Sequence, residues 1–361
     1  MNSASIKRRE SRPVRVGPVT IGGGAPVSVQ GMTKTHTEDV EATLQQIREL
    51  AEIGCEIIRC AVPNRRAGRA LGRVVEGSPL PVIGDVHFDH ELALMCIEQG
   101  VAGVRVNPGN MKDEDGLREV YRAAAERDIK VRIGLNSGSV KRRNGIEVAD
   151  EVKDEDVADL MVSEALSACE IAESEGLRNI VLSLKASEVL PTIAAYRSAA
   201  EECDYPLHVG VTAAGPPESS TIKSCIGIGT LLAEGIGDTI RVSMTGPPHY
   251  EVRTGIKMLQ ALGLRGPEGP EIVSCPTCGR CEIDLRSVVQ DVTDRLKDHS
   301  ASVKVAIMGC VVNGPGEAAD ADVGIAGGKD SALLFRNGKK IRKVDASRLV
   351  DELVAEVEKY E

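Results

Sequence analysis

Short apolar runs alternate with amphipathic stretches along the chain as far as residue 263. In the stretch 39–54, Leu44, Ile47 and Leu50 recur at helical spacing, and several such stretches end at a glycine, as helices commonly do. Comparable patterns predict further helices over 90–100, 114–127, 157–176, 187–203, 221–235 and 250–263. The apolar runs predict strands at 27–33, 56–62, 81–87, 103–108, 130–136, 179–185, 206–212 and 238–245.

Eight strands separated by helical patterns predict an α/β fold, an N-terminal (β/α)8 TIM-type barrel over residues 1–264. A doubly wound open sheet shows the same alternation and is the competing interpretation. We favour the barrel because polar residues collect at the carboxyl ends of the predicted strands. Barrel enzymes place their catalytic and binding residues at that end.

The alternation stops at residues 265–272, where glycine and proline predict a linker. Residues 273–361 differ in pattern and predict a small α+β domain. Its expected elements are a helix over 285–298, strands at 303–308 and near 323–325, and a last helix over 346–360. The pair Asn337-Gly338 predicts a hairpin turn between two further strands.

Composition and charge narrow the function classes. Aromatic residues make up 2% of the chain, which argues against base-stacking nucleic-acid binding. The net charge of −10 gives no basic field for nucleic acid or anionic membranes. No apolar run reaches the roughly 20 residues of a membrane span, and the first residues lack the apolar segment of a signal peptide. We therefore expect a cytoplasmic protein whose clustered cysteines serve metal or redox chemistry.

The polar residues at the strand ends include four arginines and a lysine. Cations converging on one barrel mouth are electrostatically costly unless an anion neutralises them, and arginine pairs well with phosphate oxygens. The pattern predicts a multiply phosphorylated substrate, most simply a diphosphate. No nucleotide-binding motif for NAD, FAD or ATP accompanies it. The full ring contains Gln30, Thr33, Arg59, Asp85, His87, Arg105, Asn107, Arg132, Asn136, Lys185, His208, Thr212, Arg241 and Ser243.

The cysteines of the second domain are the strongest chemical signal. Cys275, Cys278 and Cys281 follow one another at intervals of three, and Cys310 comes 29 residues after the last of them. Such thiolates bind zinc or an iron–sulfur cluster, and spacing alone does not choose between them. The segment 309–317 is rich in glycine and predicts a tight loop that carries Glu317 to the metal. The other six cysteines are interpreted as small apolar residues.

Two sets of motifs resemble one known family. Residues 274–280 and 309–317 are similar to the cluster-binding half of the 4-hydroxy-3-methylbut-2-enyl diphosphate synthases. The resemblance extends, in the same order, to barrel segments 29–33, 85–89, 105–110, 184–187 and 235–239. It therefore covers nearly the whole chain.

This resemblance implies an oxidoreductase of isoprenoid biosynthesis that works in the methylerythritol phosphate pathway. It would open 2-C-methyl-D-erythritol 2,4-cyclodiphosphate reductively and release water, giving 4-hydroxy-3-methylbut-2-enyl diphosphate. The family holds a 4Fe–4S cluster through residues that correspond here to Cys275, Cys278, Cys310 and Glu317. Glu317, Asp85 and His87 would be the catalytic residues. Substrate binding would fall to Arg59, His87, Arg105, Asn107, Arg132, Asn136, Lys185, Arg241 and Ser243.

The resemblance also implies external partners and leaves two departures. Reduced ferredoxin or flavodoxin would donate electrons, and two chains would form a head-to-tail homodimer. The family usually has a glutamate where this chain has Ala213, which leaves the proton donor unassigned. Cys281 is a thiol that the family does not use as a ligand, and we expect it not to bind the cluster. The alternatives are a non-catalytic or altered-substrate iron–sulfur paralogue and a zinc-dependent barrel hydrolase of a phosphorylated sugar.

Overall fold

The computed structural model describes residues 6–111, 113–143, 153–212 and 215–360. The chain divides into two compact units, Met1–Arg265 and Gly266–Glu361. Among the described residues, no helix is long and apolar enough to cross a membrane.

The first unit is the predicted barrel. Its strands run parallel in the order β8-β7-β6-β5-β4-β3-β10-β9, and a bridge between Leu182 and Leu207 joins the two ends of that order. The barrel strands are β3 (Ser28–Met32), β4 (Ile57–Ala61), β5 (Val82–Asp85), β6 (Gly103–Val106), β7 (Lys130–Asn136), β8 (Ile180–Lys185), β9 (His208–Val209) and β10 (Thr239–Ile240). All eight predicted strands are thus present, although the last two are only two residues long.

Strand register explains why polar side chains fill the barrel interior. Val29 and Ile240 pair across β3 and β10, and a side chain built at Gly255 of the outer helix layer would contact both. Because side chains alternate along a strand, Ser28 and Thr239 face the opposite, inner side. The same alternation directs Arg132 of β7 and Lys185 of β8 to the interior, where both are buried.

Helices surround the barrel and pack their apolar faces against it. The sequence patterns did not identify α2, although Ala67, Leu71 and Val74 form its buried stripe at helical spacing. Asn64 caps α2 by accepting hydrogen bonds from two backbone N–H groups. The helices of this unit are α1 (Val40–Glu52), α2 (Arg65–Gly77), α3 (His90–Glu98), α4 (Glu114–Glu126), α5 (Ser137–Arg143), α6 (Asp154–Ser174), α7 (Val189–Glu202), α8 (Pro217–Ala233) and α9 (Pro248–Ala261).

A short antiparallel hairpin, β1 (Val14–Val16) and β2 (Val19–Ile21), closes the amino-terminal end of the barrel. Val16 and Ile21 are fully buried and form a small apolar cluster with Ile57 and Ile83, which start two barrel strands. This apolar cluster therefore lies at the amino-terminal end of the barrel interior. This arrangement leaves the carboxyl end of the barrel for polar side chains.

The second unit is an α+β domain with a five-stranded sheet in the order β11-β12-β13-β14-β15. The strands are β11 (Glu271–Ser274), β12 (Lys304–Met308), β13 (Val323–Gly327), β14 (Ser331–Arg336) and β15 (Lys339–Asp345). The first three are parallel, and β14 and β15 form the hairpin predicted at Asn337-Gly338. The helices are α10 (Leu285–Leu296), α11 (Gly314–Ala319) and α12 (Leu349–Val357).

Two local expectations for this unit need correction. β11 begins at Glu271, inside the segment predicted as linker, because its backbone pairs with β12. The segment predicted as a tight loop contains the short helix α11, which starts with Gly314 and Pro315. Proline is favourable in the first turn of a helix, so it initiates the turn rather than preventing it. Glu317 therefore belongs to a helix.

Candidate functional site

A polar cavity of about 130 Å³ lies at the carboxyl end of the barrel strands. The predicted catalytic and substrate-binding residues of the barrel line it together, with the exception of Asn107, whereas Gln30, Thr33 and His208 of the predicted ring do not line it. A larger cavity of about 420 Å³ lies outside the barrel beside α4 and α6, but its described lining contains no basic side chain. The lining of the polar cavity consists of Arg59, Asp85, His87, Arg105, Arg132, Asn136, Ser183, Lys185, Thr212, Arg241 and Ser243.

Asp85 is a buried carboxylate of this cavity. It ends β5, with Oδ2 3.6 Å from Arg59 Nε and Oδ1 3.5 Å from Arg105 Nη1. Burial alone would raise the pKa of Asp85, but the positive charges of Arg59 and Arg105 outweigh it and lower the pKa to about 2. Asp85 is therefore ionised at neutral pH and holds the two arginines in place.

His87 stands at the entrance, where about a third of its side chain is exposed. Its Nε2 atom lies 2.6 Å from Arg105 Nη1, and burial together with the charge of Arg105 lowers the pKa of His87. A guanidinium can only donate hydrogen bonds, so Nε2 accepts one and the ring is neutral. The other ring nitrogen then carries the proton and can donate to an anion.

Arg132 and Lys185 lie deeper in the barrel. Arg132 is 1% exposed and donates from Nη1 to Gln30 Oε1 over 2.9 Å. Burial and then the charges of neighbouring arginines hold the pKa of Lys185 well below its usual range. No carboxylate of the described residues pairs with either side chain, so both remain available to a ligand.

Arg241 has a carboxylate partner that the sequence patterns did not identify. Its Nη2 atom donates to both oxygens of Glu251 in α9, at 3.0 and 3.3 Å. Glu251 is 1% exposed and also accepts a hydrogen bond from Lys34 Nζ at 2.8 Å. The position of Glu251 on the apolar face of an amphipathic helix is the one sequence signal that could have pointed to a buried carboxylate here.

The cavity as a whole has more positive than negative charge. Four arginines and a lysine line it, whereas Asp85 is the only carboxylate in its described lining. The Nε atoms of Arg132 and Arg241 are buried and have no partner among the described residues, and that of Arg59 has only the ion-pair contact with Asp85 at 3.6 Å. Unpaired buried donors are costly, and a bound polyanion would pair with them. The geometry therefore suits a compact ligand with several phosphate oxygens.

The remaining ring residues divide by their contacts. Asn107 is 1% exposed, donates to Ser139 Oγ at 3.3 Å and accepts from Gly109 N at 3.1 Å, so it fixes the loop after β6. His208 is fully buried below the cavity. Ser183, which is not in the predicted ring of polar residues, also lines the cavity. It lies two residues before Lys185 and therefore on the same face of the strand. Ala213 lies outside the described residues.

The cysteines of the second unit lie on the loops that follow β11 and β12. Cys275 accepts a hydrogen bond from Gly309 N over 3.4 Å. Backbone N–H groups of Val312 and Asn313 point at the Cys310 thiol and lower its pKa, which favours the thiolate. Cys278 and Glu317 are exposed. N–H groups directed at sulfur are typical of iron–sulfur sites, so these residues fit a cluster.

The same loops do not form a site for a single ion. Among the described residues, no group of three His, Cys, Asp or Glu side chains is close enough to share one metal ion. Each ligand of a cluster binds a different iron, so cluster ligands lie farther apart than the ligands of one ion. The Cys281 thiol donates to the backbone oxygen of Ile283 at 3.3 Å and, like Cys275, packs against the apolar core.

Comparison with solved structures shows the barrel fold again. Dihydropteroate synthases from Yersinia pestis and Coxiella burnetii each align with a TM-score of 0.50, at 12% and 11% identity. The alignments cover 70% and 71% of this chain, and 97% and 100% of those chains. At this level of identity the similarity concerns fold alone.

Sequence comparisons cover both units. Proteins named 4-hydroxy-3-methylbut-2-en-1-yl diphosphate synthase (flavodoxin) from Geobacter sulfurreducens and Clostridium perfringens are 52% and 47% identical to this chain. The alignments cover 98% of this chain in both cases, and 98% and 99% of the relatives. The GcpE TIM-barrel domain matches residues 11–256 and the GcpE protein C-terminal domain matches residues 271–359. This chain belongs to the GcpE family.

Proposed function

We propose that this protein is an oxidoreductase that converts 2-C-methyl-D-erythritol 2,4-cyclodiphosphate into 4-hydroxy-3-methylbut-2-enyl diphosphate and water. Relatives that are about half identical over nearly the full chain are named 4-hydroxy-3-methylbut-2-en-1-yl diphosphate synthase (flavodoxin). The observation that carries the proposal is the cavity of five buried or half-buried cations at the carboxyl end of a barrel. A cyclic diphosphate is a compact ligand that presents several phosphate oxygens to such a cavity. The comparisons do not support a zinc hydrolase or a non-catalytic paralogue.

The cavity residues would have distinct roles in binding. Arg59, Arg105, Arg132, Lys185 and Arg241 would donate to phosphate oxygens, with Asn136, Ser243 and the protonated ring nitrogen of His87 as neutral donors. Asp85 would keep Arg59 and Arg105 aligned. Because no carboxylate of the described residues neutralises Lys185, a bound diphosphate would raise the pKa of this lysine.

The second unit would hold a 4Fe–4S cluster through Cys275, Cys278, Cys310 and Glu317. The cluster would relay the two electrons of the reaction, one at a time, from the external donor to the substrate. The N–H groups near Cys275 and Cys310 would stabilise the thiolates, and Cys281 would stay outside the ligand set. Glu317 is exposed and offers a hard oxygen that exchanges more readily than a thiolate.

Partners and domain roles complete the proposal. Flavodoxin stands in the names of the relatives, and we propose flavodoxin or ferredoxin as the electron donor here. Residues 1–264 would bind the substrate and residues 273–361 would bind the cluster, and residues 265–270, which precede β11, would link the two units. The active form would be a head-to-tail homodimer. Proton donation would involve His87 or Glu317, because Asp85 is ionised at neutral pH.

A turnover assay with two matched lysine variants tests this function. Anaerobically purified protein with iron and sulfide quantified should convert the cyclodiphosphate to the linear diphosphate in the presence of dithionite or reduced flavodoxin. Lys185→Met should lower kcat/KM by about 100-fold or more, because a ligand of the diphosphate is lost. Lys130→Met removes a lysine that is equally buried in the barrel but does not line the cavity, and kcat/KM should change by less than about threefold.

Three results would contradict the proposal. A protein that contains zinc without iron and sulfide would exclude the cluster. A protein with a full cluster that forms no linear product would point to a binding paralogue. Equal losses in the two lysine variants would place the substrate elsewhere in the barrel.

A further inference from the structure

Glu251 is a buried carboxylate that lies outside the cavity but touches the elements that form its wall. It sits in the first turn of α9 and is 1% exposed. Its oxygens accept hydrogen bonds from Arg241 Nη2, from Met244 N at 3.0 Å and from Lys34 Nζ at 2.8 Å. The segments that follow β3 and β10 therefore meet at one carboxylate of α9.

The first contact fixes the direction of Arg241. A guanidinium has five N–H donors, and Glu251 engages only the Nη2 group. The Nε atom of Arg241 is buried without a partner among the described residues, and Arg241 lines the cavity. Glu251 thus holds one edge of the guanidinium while other donors stay available to a ligand.

The second contact fixes the backbone after β10. Met244 directly follows Ser243, which lines the cavity. The Met244 N–H donates to Glu251 Oε1, and the Ser243 carbonyl accepts a hydrogen bond from Ser220 Oγ at 2.6 Å. Both sides of this peptide are therefore anchored. One carboxylate positions Arg241 directly and Ser243 through its neighbour.

The third contact keeps Glu251 from cancelling the charge of Arg241. Lys34 Nζ lies 2.8 Å from the same carboxylate, and about a third of the Lys34 side chain is exposed. Two cations share one negative charge, so the group retains a net positive charge beside the cavity. A simple Arg–Glu pair would be neutral and would attract an anion less strongly.

We propose that Glu251 is a positioning residue of the anion cavity, which sets Arg241 and Ser243 for the diphosphate group of the substrate. The inference rests on the proposed function for the identity of the substrate. It assigns to α9 a part in binding, although that helix places no side chain in the described lining of the cavity.

The variant Glu251→Gln gives opposite results for a positioning role and for a simple charge effect. Loss of a negative charge beside the cavity would by itself tighten binding of an anion. Loss of the Arg241 anchor should weaken it. We expect the Kd of inorganic diphosphate for the cluster-loaded protein, measured by calorimetry, to rise about tenfold. The KM for the cyclodiphosphate should rise similarly, and kcat should change by less than about threefold.

A double-mutant cycle with Arg241→Met shows whether the effect passes through the arginine. In the Arg241→Met background, Glu251→Gln should weaken diphosphate binding much less than it does in the parent protein. The matched control is Glu56→Gln. Glu56 likewise accepts from a backbone N–H, that of Val29, and pairs with an arginine, Arg265, but it lies at the amino-terminal end of β4. Diphosphate affinity should stay unchanged in this control.

Unchanged or tighter diphosphate binding in Glu251→Gln would overturn the proposal, as would an equal loss in the two backgrounds of the cycle. If Glu251→Gln fails to fold, Glu251→Asp keeps the charge but shortens the reach, and its diphosphate Kd should still rise. An unchanged Kd in that variant would also reject the positioning role. Inorganic diphosphate binding reports on Glu251 even if the substrate differs, whereas absence of turnover in the parent protein would refute only the proposed function.

Discussion

The barrel cavity and the cysteine loops differ in how far contacts within the protein hold their side chains in place. In the cavity, buried side chains lie at the ends of strands, and Asp85 and Glu251 hold arginines through contacts within the protein. In the second unit, Cys278 and Glu317 are exposed, and the thiols of Cys275 and Cys310 receive only backbone N–H groups. The cavity is fixed before a ligand arrives, whereas the cysteine loops depend on the ligand to bring their donors together.

This difference follows from where each set of residues lies. Strand ends of a closed barrel converge on one axis, so residues far apart in sequence meet with little freedom. Loops after β11 and β12 have neighbours on fewer sides, and thiolates gain their full stabilisation only from a metal. We therefore expect substitution of a cluster ligand in the cysteine loops to abolish cluster binding and turnover. Substitutions around the cavity should instead lower activity or stability by a limited amount.

The largest effect should separate Cys278 from Cys281. Cys278→Ser removes a proposed cluster ligand and should abolish turnover and lower the iron content substantially, because a hydroxyl is a poor ligand for cluster iron. Cys281→Ser is the matched control, since it changes the same atom three residues away. It should keep iron, sulfide and most activity. Iron quantification and the visible absorption of the cluster report cluster content in both variants. Equal losses in the two variants would make Cys281 a ligand.

A second, smaller effect concerns the acid stability of the cavity. The unfolded carboxyl of Asp85 titrates near its ordinary value, whereas the folded pKa is about 2. A depressed folded pKa stabilises the protein above the unfolded pKa, and the contribution disappears as pH falls from about 4 to about 2. The ionised group then contributes about 2 kcal/mol to the free energy of unfolding at neutral pH.

Asp85→Asn should therefore lower the free energy of unfolding at pH 7 by about 2 kcal/mol or more, because Arg59 and Arg105 lose their carboxylate. Urea unfolding between pH 7 and pH 3 should show the difference shrinking as the solution becomes more acidic. The control is Glu91→Gln, which removes an exposed partner of Arg65 and should change stability by less than about 1 kcal/mol. A difference that stays constant with pH would show that Asp85 stabilises the barrel by packing alone.

The sequence predicted much of the barrel and of its site because both depend on periodic patterns. Buried strands with polar ends identified Arg59 and Lys185, and their meeting in one cavity follows from barrel closure. Glu251 could not be predicted, since its role depends on which residues of other segments reach it. Asn107 stays a prediction as a substrate-binding residue, and its contacts with Ser139 and Gly109 could not be read from the sequence pattern. Sequence patterns predict which face of a helix or strand is buried, whereas hydrogen-bond partners from distant segments can be identified only in the folded structure.

The smallest effect is expected at Ala213, where the family resemblance leads us to expect a glutamate. The residue directly follows Thr212 in sequence, and Thr212 lines the cavity. If a carboxylate is missing from proton transfer, Ala213→Glu should raise kcat by a few-fold, on the order of 10 at most, with little change in KM. Ala213→Gln adds the same bulk without the proton and should not raise kcat. An equal increase in both variants would assign the effect to shape, and no increase in either would mean that a group already in the cavity donates the proton.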